Sequence, residues 1–394
     1  MEDTFNHLTY YYPHTFQQMR GFPAYCPVTN YMQSLASSGI GGGFGPRGVQ
    51  AAYGEFIERS HFYLSIPADI KDEFRQHNHE TFTQSLCHMI NQLKETDSDP
   101  STHQFNLTKV KNVFNDEVAY LPTVLFTLAF FDSADRKFIP FMDSCGAAVH
   151  ISFEKARDSS LLEFIERQAL VASWMTRQYK HKIDADVLLK IPHYSRLAEQ
   201  LLNSGEVHVF DLSVGLPGFV IMVLYFSHSI EDSVQYSIGI SAGFSPLEAL
   251  TKALNELWLD YSFLYTSFAV WGKVEKVPDG KKYTIRHLED NNVEKTKKIM
   301  SYDLTAASDM TAEDFLKLPK ITTSDALASI RTISDQVFLY HKNDPRGDYH
   351  YTKIISPDFF LHMSVSDKLN IDNLYFKKLG YDPNNLYRHV IPFP

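Results

Sequence analysis

GEFIER at Gly54–Arg59 and LEFIER at Leu162–Arg167 repeat one pentapeptide, Glu-Phe-Ile-Glu-Arg, within a chain of 394 residues. In each copy the acids are spaced i, i+3 and the arginine follows the first acid by four, so all three share one helix face. Taken alone, such a segment is surface decoration, an ion pair worth about 0.2–0.5 kcal/mol. The surroundings say otherwise. On a helical wheel Glu163 shares its face with Ala156, Ser160, Leu170 and Trp174, while Leu161, Leu162, Phe164 and Ile165 occupy the other faces. A helix that is apolar on nearly every side is buried. Glu55 keeps similar company, among Val49, Ala52, Phe56, Ile57 and Phe62. A buried carboxylate must be paired, protonated or bound to metal. One arginine per two acids leaves negative charge to be neutralised.

Both copies sit in a common layout, a Gly-containing extended segment followed by a capped helix, and a third stretch shares it. The first helix is expected to start at Gly45-Pro46, because Pro suits the first helical position. The second has Ser152 as N-cap with Glu154 in its first turn. The third, YSIGISAGFSPLEALTKALNELWLDY, has an S-x-x-E capping box at Ser245–Glu248 with Pro246 at N1. It carries Lys252, Glu256 and, one turn on, Asp260. Each lead acid lies roughly 15 Å past its cap, too deep to complement the helix dipole. Strands are expected at 118–130, 207–213, 218–227 and 234–241, from their apolar runs. The glycines of GIGGGFG read as a flexible turn, with a phosphate cradle as the alternative.

A formal net charge of −10 argues against nonspecific binding to nucleic acid or an anionic membrane. Cys26, Cys87 and Cys145 have no C-x-x-C spacing and read as a reduced set, with Cys145 a buried thiol rather than a nucleophile. The N-terminus lacks an apolar signal-peptide core, and LPTVLFTLAFF and FVIMVLYF are too short to span a bilayer. The expectation is a soluble, cytoplasmic protein. The charged stretch from 272 to about 325 reads as an insertion or mobile region, followed by an ordered tail that ends HVIPFP.

If the three helices converge, five or more carboxylates meet few cations. Hard divalent ions such as Mg²⁺, which take carboxylate and phosphate oxygens, are the natural compensation. Metal with phosphate points to nucleotide chemistry, although the chain has no Walker loop and no kinase signature. With these residues the sequence resembles the YcaO superfamily, whose glutamate-rich ATP/Mg²⁺ site lies on helices with E-x-x-E-R segments. The resemblance runs over nearly the whole chain, through Glu55–Arg59, CGAA…EFIERQALVASW and GISAGFSPLEALTKALNELW. Within the family, YTKIISPDFFLHM (351–363) and the terminal Ile391-Pro392-Phe393-Pro394 resemble the cyclodehydratase subunit of microcin-type thiazole/oxazole synthetases.

The resemblance implies an α/β fold with mixed sheets and buried acidic helices around an ATP/Mg²⁺ site, as one domain over 1–394 with a Pro-containing arm at 390–394. It implies Glu55, Glu58, Glu163, Glu166 and Glu256 as Mg²⁺ and ATP ligands. Arg59 and Arg167 would hold phosphate or orient those acids, with Lys252 at the nucleotide. The second nucleotide segment departs from the family pattern, with Ala148 and Ile151 for Ser and Asn and Lys155 for an acid. The implied reaction is ATP-dependent closure of Cys, Ser or Thr in a ribosomally made precursor peptide to azoline rings. The Pro394 carboxylate is a candidate base there, with anchoring of the tail the alternative. The implied partners are the precursor peptide, an E1-like leader-binding subunit and an FMN-dependent azoline dehydrogenase, in a hetero-oligomer with two copies of this chain. Thioamide or amidine formation, or a nucleotide-binding scaffold, are the competing readings.

Overall fold

The computed structural model describes residues 10–14, 28–33, 38–44, 46–64, 66–129, 134–271, 287, 291–344, 346–366 and 368–393. Strands β1 (Tyr10–His14), β2 (Val28–Gln33) and β3 (Ser38–Gly43) form a three-stranded sheet and lead into helix α1 (Arg47–Leu64). A six-stranded sheet is assembled from distant parts of the chain. It joins β4 (Ile70–Asp72), β5 (Phe105–Asn112), β6 (Val118–Pro122), β7 (Ala147–His150), β12 (Phe338–Asn343) and β13 (His350–Ile355). Its order is β4-β5-β12-β13-β7, with β6 on β5. The third sheet, ordered β11-β10-β9-β8, is made of β8 (His181–Ile183), β9 (Gly205–Asp211), β10 (Phe219–Ser227) and β11 (Tyr236–Gly243). The pairings between named strands are antiparallel, and an isolated parallel bridge links Ile183 to Met310.

Helices fill the layers between and outside the sheets. Helix α2 (Glu80–Leu93) packs Leu86, Ile90 and Leu93 on one side of the six-stranded sheet, against Phe105, Leu107 and Tyr340. Helix α3 (Phe153–Thr176) runs between that sheet and the four-stranded one, which is why its apolar residues surround it. Beyond the four-stranded sheet lie α4 (Ser195–Ser204) and α5 (Pro246–Trp271), packed on Val209, Ile221, Val223 and Tyr225. Trp174 and Trp258, both fully buried, anchor these two cores, and each large apolar side chain so buried contributes roughly 1.5–3 kcal/mol.

The expected caps are present. Ser152 accepts from the Lys155 amide, and Ser245 accepts from the Glu248 amide. The Glu248 carboxylate reaches back to the amide of Phe244, one residue before the cap. The 118–130 run behaves differently from its expectation. It is extended only over Val118–Pro122 and then turns through a 3-10 helix at Thr123–Leu125. Val124, Leu125, Phe126 and Leu128 are buried in the α2 core without continuing the strand.

Of the charged 272–325 stretch, residues 272–286 and 288–290 lie outside the described residues. From Asn291 the chain carries α6 (Val293–Ile299), α7 (Ala312–Leu316) and the start of α8 (Thr323–Arg331). Tyr302 and Phe315 from this stretch are buried in the two central cores. A last helix, α9 (Leu374–Leu379), packs Tyr375 and Phe376 on Phe359 and Phe360. Among the described residues no helix is long and apolar enough to cross a membrane.

Candidate active site

The glycine run before α1 is strand β3, not a turn. A Cβ at Gly39 or Gly41 would collide with the backbone of Ala52, and one at Gly42 would fall 2.6 Å from Leu259 Cδ2 of α5. The glycines let β3 lie directly on α1 and beside α5. Gly239 of β11 plays the same part for α5, where a Cβ would collide with the Ala253 backbone. Main-chain donors of β3 and β11 reach the glutamates of α1 and α3. The Ile40 amide donates to Glu55 Oε2 (2.9 Å), and the Ala242 amide of β11 donates to Glu166 Oε2 (3.0 Å). One member of each repeated acid pair is thus fixed by the strand beside it.

Both pentapeptides form their expected ion pairs, at long range. Arg59 stands 3.4 Å from Glu55, and Arg167 stands 3.7 Å from both Glu163 and Glu166. The acids belong to one electrostatic cluster. Burial pushes Glu58 up to about 7 against the opposing field of Arg59, with Glu55 adding to the rise. Glu163 is pushed up to about 8, first by burial and then by Glu58 and Glu166, with Arg167 and Arg59 opposing. Glu256 on α5 is likewise raised to about 8, by burial and by the carboxylates of Glu166 and Glu55. Glu256 is exposed at the surface, and Glu55, Glu58, Glu163 and Glu166 are half-buried, so these groups line a cleft and are not sealed in a core.

Two further acids and a lysine of α5 fall differently. Asp260 accepts from the Ser237 hydroxyl and the Ile238 amide and pairs with His287 at 2.7 Å, so its oxygens are committed within the fold. Lys252 pairs with Glu248 at 2.7 Å on the exposed rim and still acts on Glu166 through space. A cavity of about 530 Å³ opens beside Glu256, lined among others by Gly43, Arg47, His193, Tyr194, Lys252 and Asn255.

Sequence reasoning missed Lys353. It lies in β13, where all but one residue is buried, and donates to the Asp143 carbonyl oxygen at 2.6 Å. Burial lowers its pKa against the pull of Asp143, Cys145 and Glu163, and its charge is felt at Glu58. A lysine directly before the apolar pair Ile354-Ile355 was the available signal. Cys145 is a buried thiol whose pKa is pushed well up by burial, as expected of a group that is not a nucleophile. The described part of the C-terminal arm packs against α3 and β11. Trp174 Nε1 donates to the His389 carbonyl, Tyr236 donates to that of Pro392, and the Arg167 guanidinium lies 5.3 Å from the ring centre of Phe393. Pro394 lies outside the described residues. In the second segment Ala148 is buried in β7, whereas Ile151 is exposed at the turn into α3.

Among the described residues no three His, Cys, Asp or Glu side chains meet as one metal-binding group. Arg59 acts on Glu55, Glu58 and Glu163, and Arg167 on Glu163 and Glu166, which offsets the repulsion among these carboxylates. The donor set is nevertheless hard oxygen flanked by guanidinium, which suits Mg²⁺ with phosphate. The Arg59 Nε–H, buried with no hydrogen-bond partner among the described residues, is a donor that an anionic oxygen would satisfy.

Residues 49–359 match the family model described as YcaO cyclodehydratase, ATP- and Mg²⁺-binding. The chain belongs to the YcaO family. As a YcaO protein it is 28% identical over 384 residues to the Microcin B17-processing protein McbD of Escherichia coli, covering 95% of this chain and 94% of that one. In structure it is similar to a chain of the E. coli microcin synthetase McbBCD complex, with TM-score 0.84 and 25% identity over 98% of this chain and 96% of that one. The same complex with pro-MccB17 bound matches with TM-score 0.82 and 26% identity over the same shares. The α/β fold expected from the E-x-x-E-R helices is therefore the YcaO fold, and its three acidic helices meet at one cleft.

Proposed function

We propose that this YcaO chain is the ATP-dependent cyclodehydratase subunit of a multi-subunit thiazole/oxazole synthetase acting on a ribosomally made precursor peptide. The observation that carries the reading is the cleft where α1, α3 and α5 set Glu55, Glu58, Glu163, Glu166 and Glu256 around Arg59 and Arg167. Full-length similarity to a microcin-processing protein supports the choice of reaction within the family.

In the reaction, a Cys, Ser or Thr side chain of the precursor gives up its proton to a base, adds to the preceding amide carbonyl and generates an oxyanion. That oxygen takes the γ-phosphoryl group of ATP, with ADP leaving, and then departs as phosphate. Loss of the amide N–H proton completes the ring, for a net loss of one water. Arg59 and Arg167 would receive the phosphate oxygens, and the five glutamates would hold Mg²⁺. Bound Mg²⁺ supplies neutralisation of charge developing on the transferred group. The amides of Ile40 and Ala242 fix Glu55 and Glu166, so the carboxylates are placed before ligands arrive. Lys252 and the adjoining cavity would take the nucleoside side of ATP. Leader-peptide binding falls to an E1-like partner and azoline oxidation to an FMN-dependent dehydrogenase, with two copies of this chain in the assembly.

The test is mass spectrometry of a leader-bearing precursor incubated with ATP, Mg²⁺ and the assembled complex. Each ring should remove one water, with phosphate released in step. The isolated chain should turn over ATP slowly and modify precursor poorly until the E1-like partner is added. A mass gain matching replacement of oxygen by sulfur, or no ATP-dependent change with the full complex, would reject the assignment.

A further inference from the structure

A second cavity, of about 560 Å³, lies between the six-stranded sheet and the N-terminal end of α3, and none of the acidic-cleft residues line it. Its sheet wall carries Lys109 and Lys111 of β5 and Lys342 of β12, and Arg157 of α3 faces it from the helix side. In a chain of net charge −10, four cations around one cavity are a local inversion of sign. Two of the four are already paired, Arg157 with Asp158 at 2.9 Å and Lys342 with Asp69 at 3.6 Å. Lys109 and Lys111 are exposed and make no ion pair within the described residues, and Asp116 is the acid in the same wall.

The sheet is interrupted where the cavity lies. The β5–β12 ladder consists of two residue pairs, Phe338↔Asn112 and Leu339↔Lys111. Upstream, the amide of Lys109 bonds to the Asp69 side chain at 2.7 Å instead of to β12. The opposite wall is apolar, built from Phe153 and Leu161 of α3 and Leu327 of α8. Lys109 and Lys111, two residues apart on one strand, stand about 7 Å apart on the same face. Carboxylates on alternate residues of an extended chain have that same spacing, and the residue between them points the other way, towards an apolar wall.

We propose that this cavity is the docking site for an extended acidic segment of a partner subunit, with carboxylates on alternate residues meeting Lys109 and Lys111 and an apolar side chain between them meeting Phe153, Leu161 and Leu327. The proposal rests on the reading that the chain works within a hetero-oligomer. It does not depend on which ring the complex makes.

The experiment is co-purification of the tagged chain with its partner subunits, wild type against Lys109→Glu/Lys111→Glu, at low and high salt. The double reversal should weaken assembly at least tenfold, and raising salt should weaken the wild type in the same direction. Lys109→Gln/Lys111→Gln should fall between. An unchanged thermal midpoint and unchanged basal ATP hydrolysis by the isolated variant separate a lost contact from a lost fold. Assembly of the double reversal at the wild-type level would overturn the proposal. So would normal assembly with loss only of precursor-peptide crosslinking, because the occupant would then be the substrate. A complex that assembles through this site yet forms no azoline would leave the docking site standing and reject the catalytic reading instead.

Discussion

At Glu163 and Glu256 burial and neighbouring carboxylates raise the pKa to about 8, and at Glu58 to about 7. A raised carboxylate holds its proton more tightly folded than unfolded, so the folded chain binds more protons between the ordinary value of 4.5 and about 8. The stability these groups contribute is present below 4.5 and is lost as pH rises through that window. Mg²⁺ needs the deprotonated oxygens, so its affinity moves the opposite way. Between pH 6 and 9, calorimetric titration with Mg²⁺ and a non-hydrolysable ATP analogue should show tighter binding, by up to about tenfold per pH unit for each proton released. Proton release should appear as a dependence of the heat on the buffer. Glu163→Gln removes the charge without the volume. It should lower ATP-dependent ring formation at least about a hundredfold, as loss of a preorganised charge in the site does, while the ligand-free protein keeps or gains thermal stability. Normal ring formation in that variant would return the pentapeptide to the role of an ordinary ion pair.

On the scale of strand and helix, the close contact of β3 with α1 and of β11 with α5 depends on glycine. Gly239→Ala should cost about 3 kcal/mol, the upper range for overpacking, because the new methyl meets backbone that cannot turn aside. Gly54→Ala in α1 is the contrast. No described residue lies within 4 Å of the position its Cβ would take, so helix propensity alone acts and the isolated chain should gain about 0.5–1 kcal/mol. Urea unfolding of the two variants checks both signs. These elements also show what could be read in advance. Helices α3 and α5 were legible because Ser152 and Ser245 announce their starts, and α3 because it is apolar all round. The acids were legible because the pentapeptide recurs inside buried helices. The layout gives the glycine run as extended, as β3 is, while its glycines taken alone read as a turn, since tight strand–helix contact is a tertiary demand that a local reading cannot see. Lys353 was overlooked because its strand joins β7 and β12 from distant parts of the chain, and only that pairing brings it behind Glu58 and Glu163.

Across the whole molecule, the C-terminal arm returns along α3 to bring Phe393 beneath Arg167, far from it in sequence. Phe393→Ala should cut ring formation more than it cuts assembly or nucleotide affinity, because the ring packs on a guanidinium assigned to phosphate. Equal losses in all three would make the arm an anchor alone. The three helices that share the cleft are drawn from Glu55, Glu163 and Glu256, with strands of the far C-terminal third closing the sheet behind them. Such a site has very high contact order, and no fragment emerging early from the ribosome contains it. Nucleotide can therefore stabilise only the finished chain, so that ligand binding reports on completion of folding. Amide exchange should slow together in α1, α3 and α5 when ATP and Mg²⁺ bind, as one cooperative unit and not helix by helix.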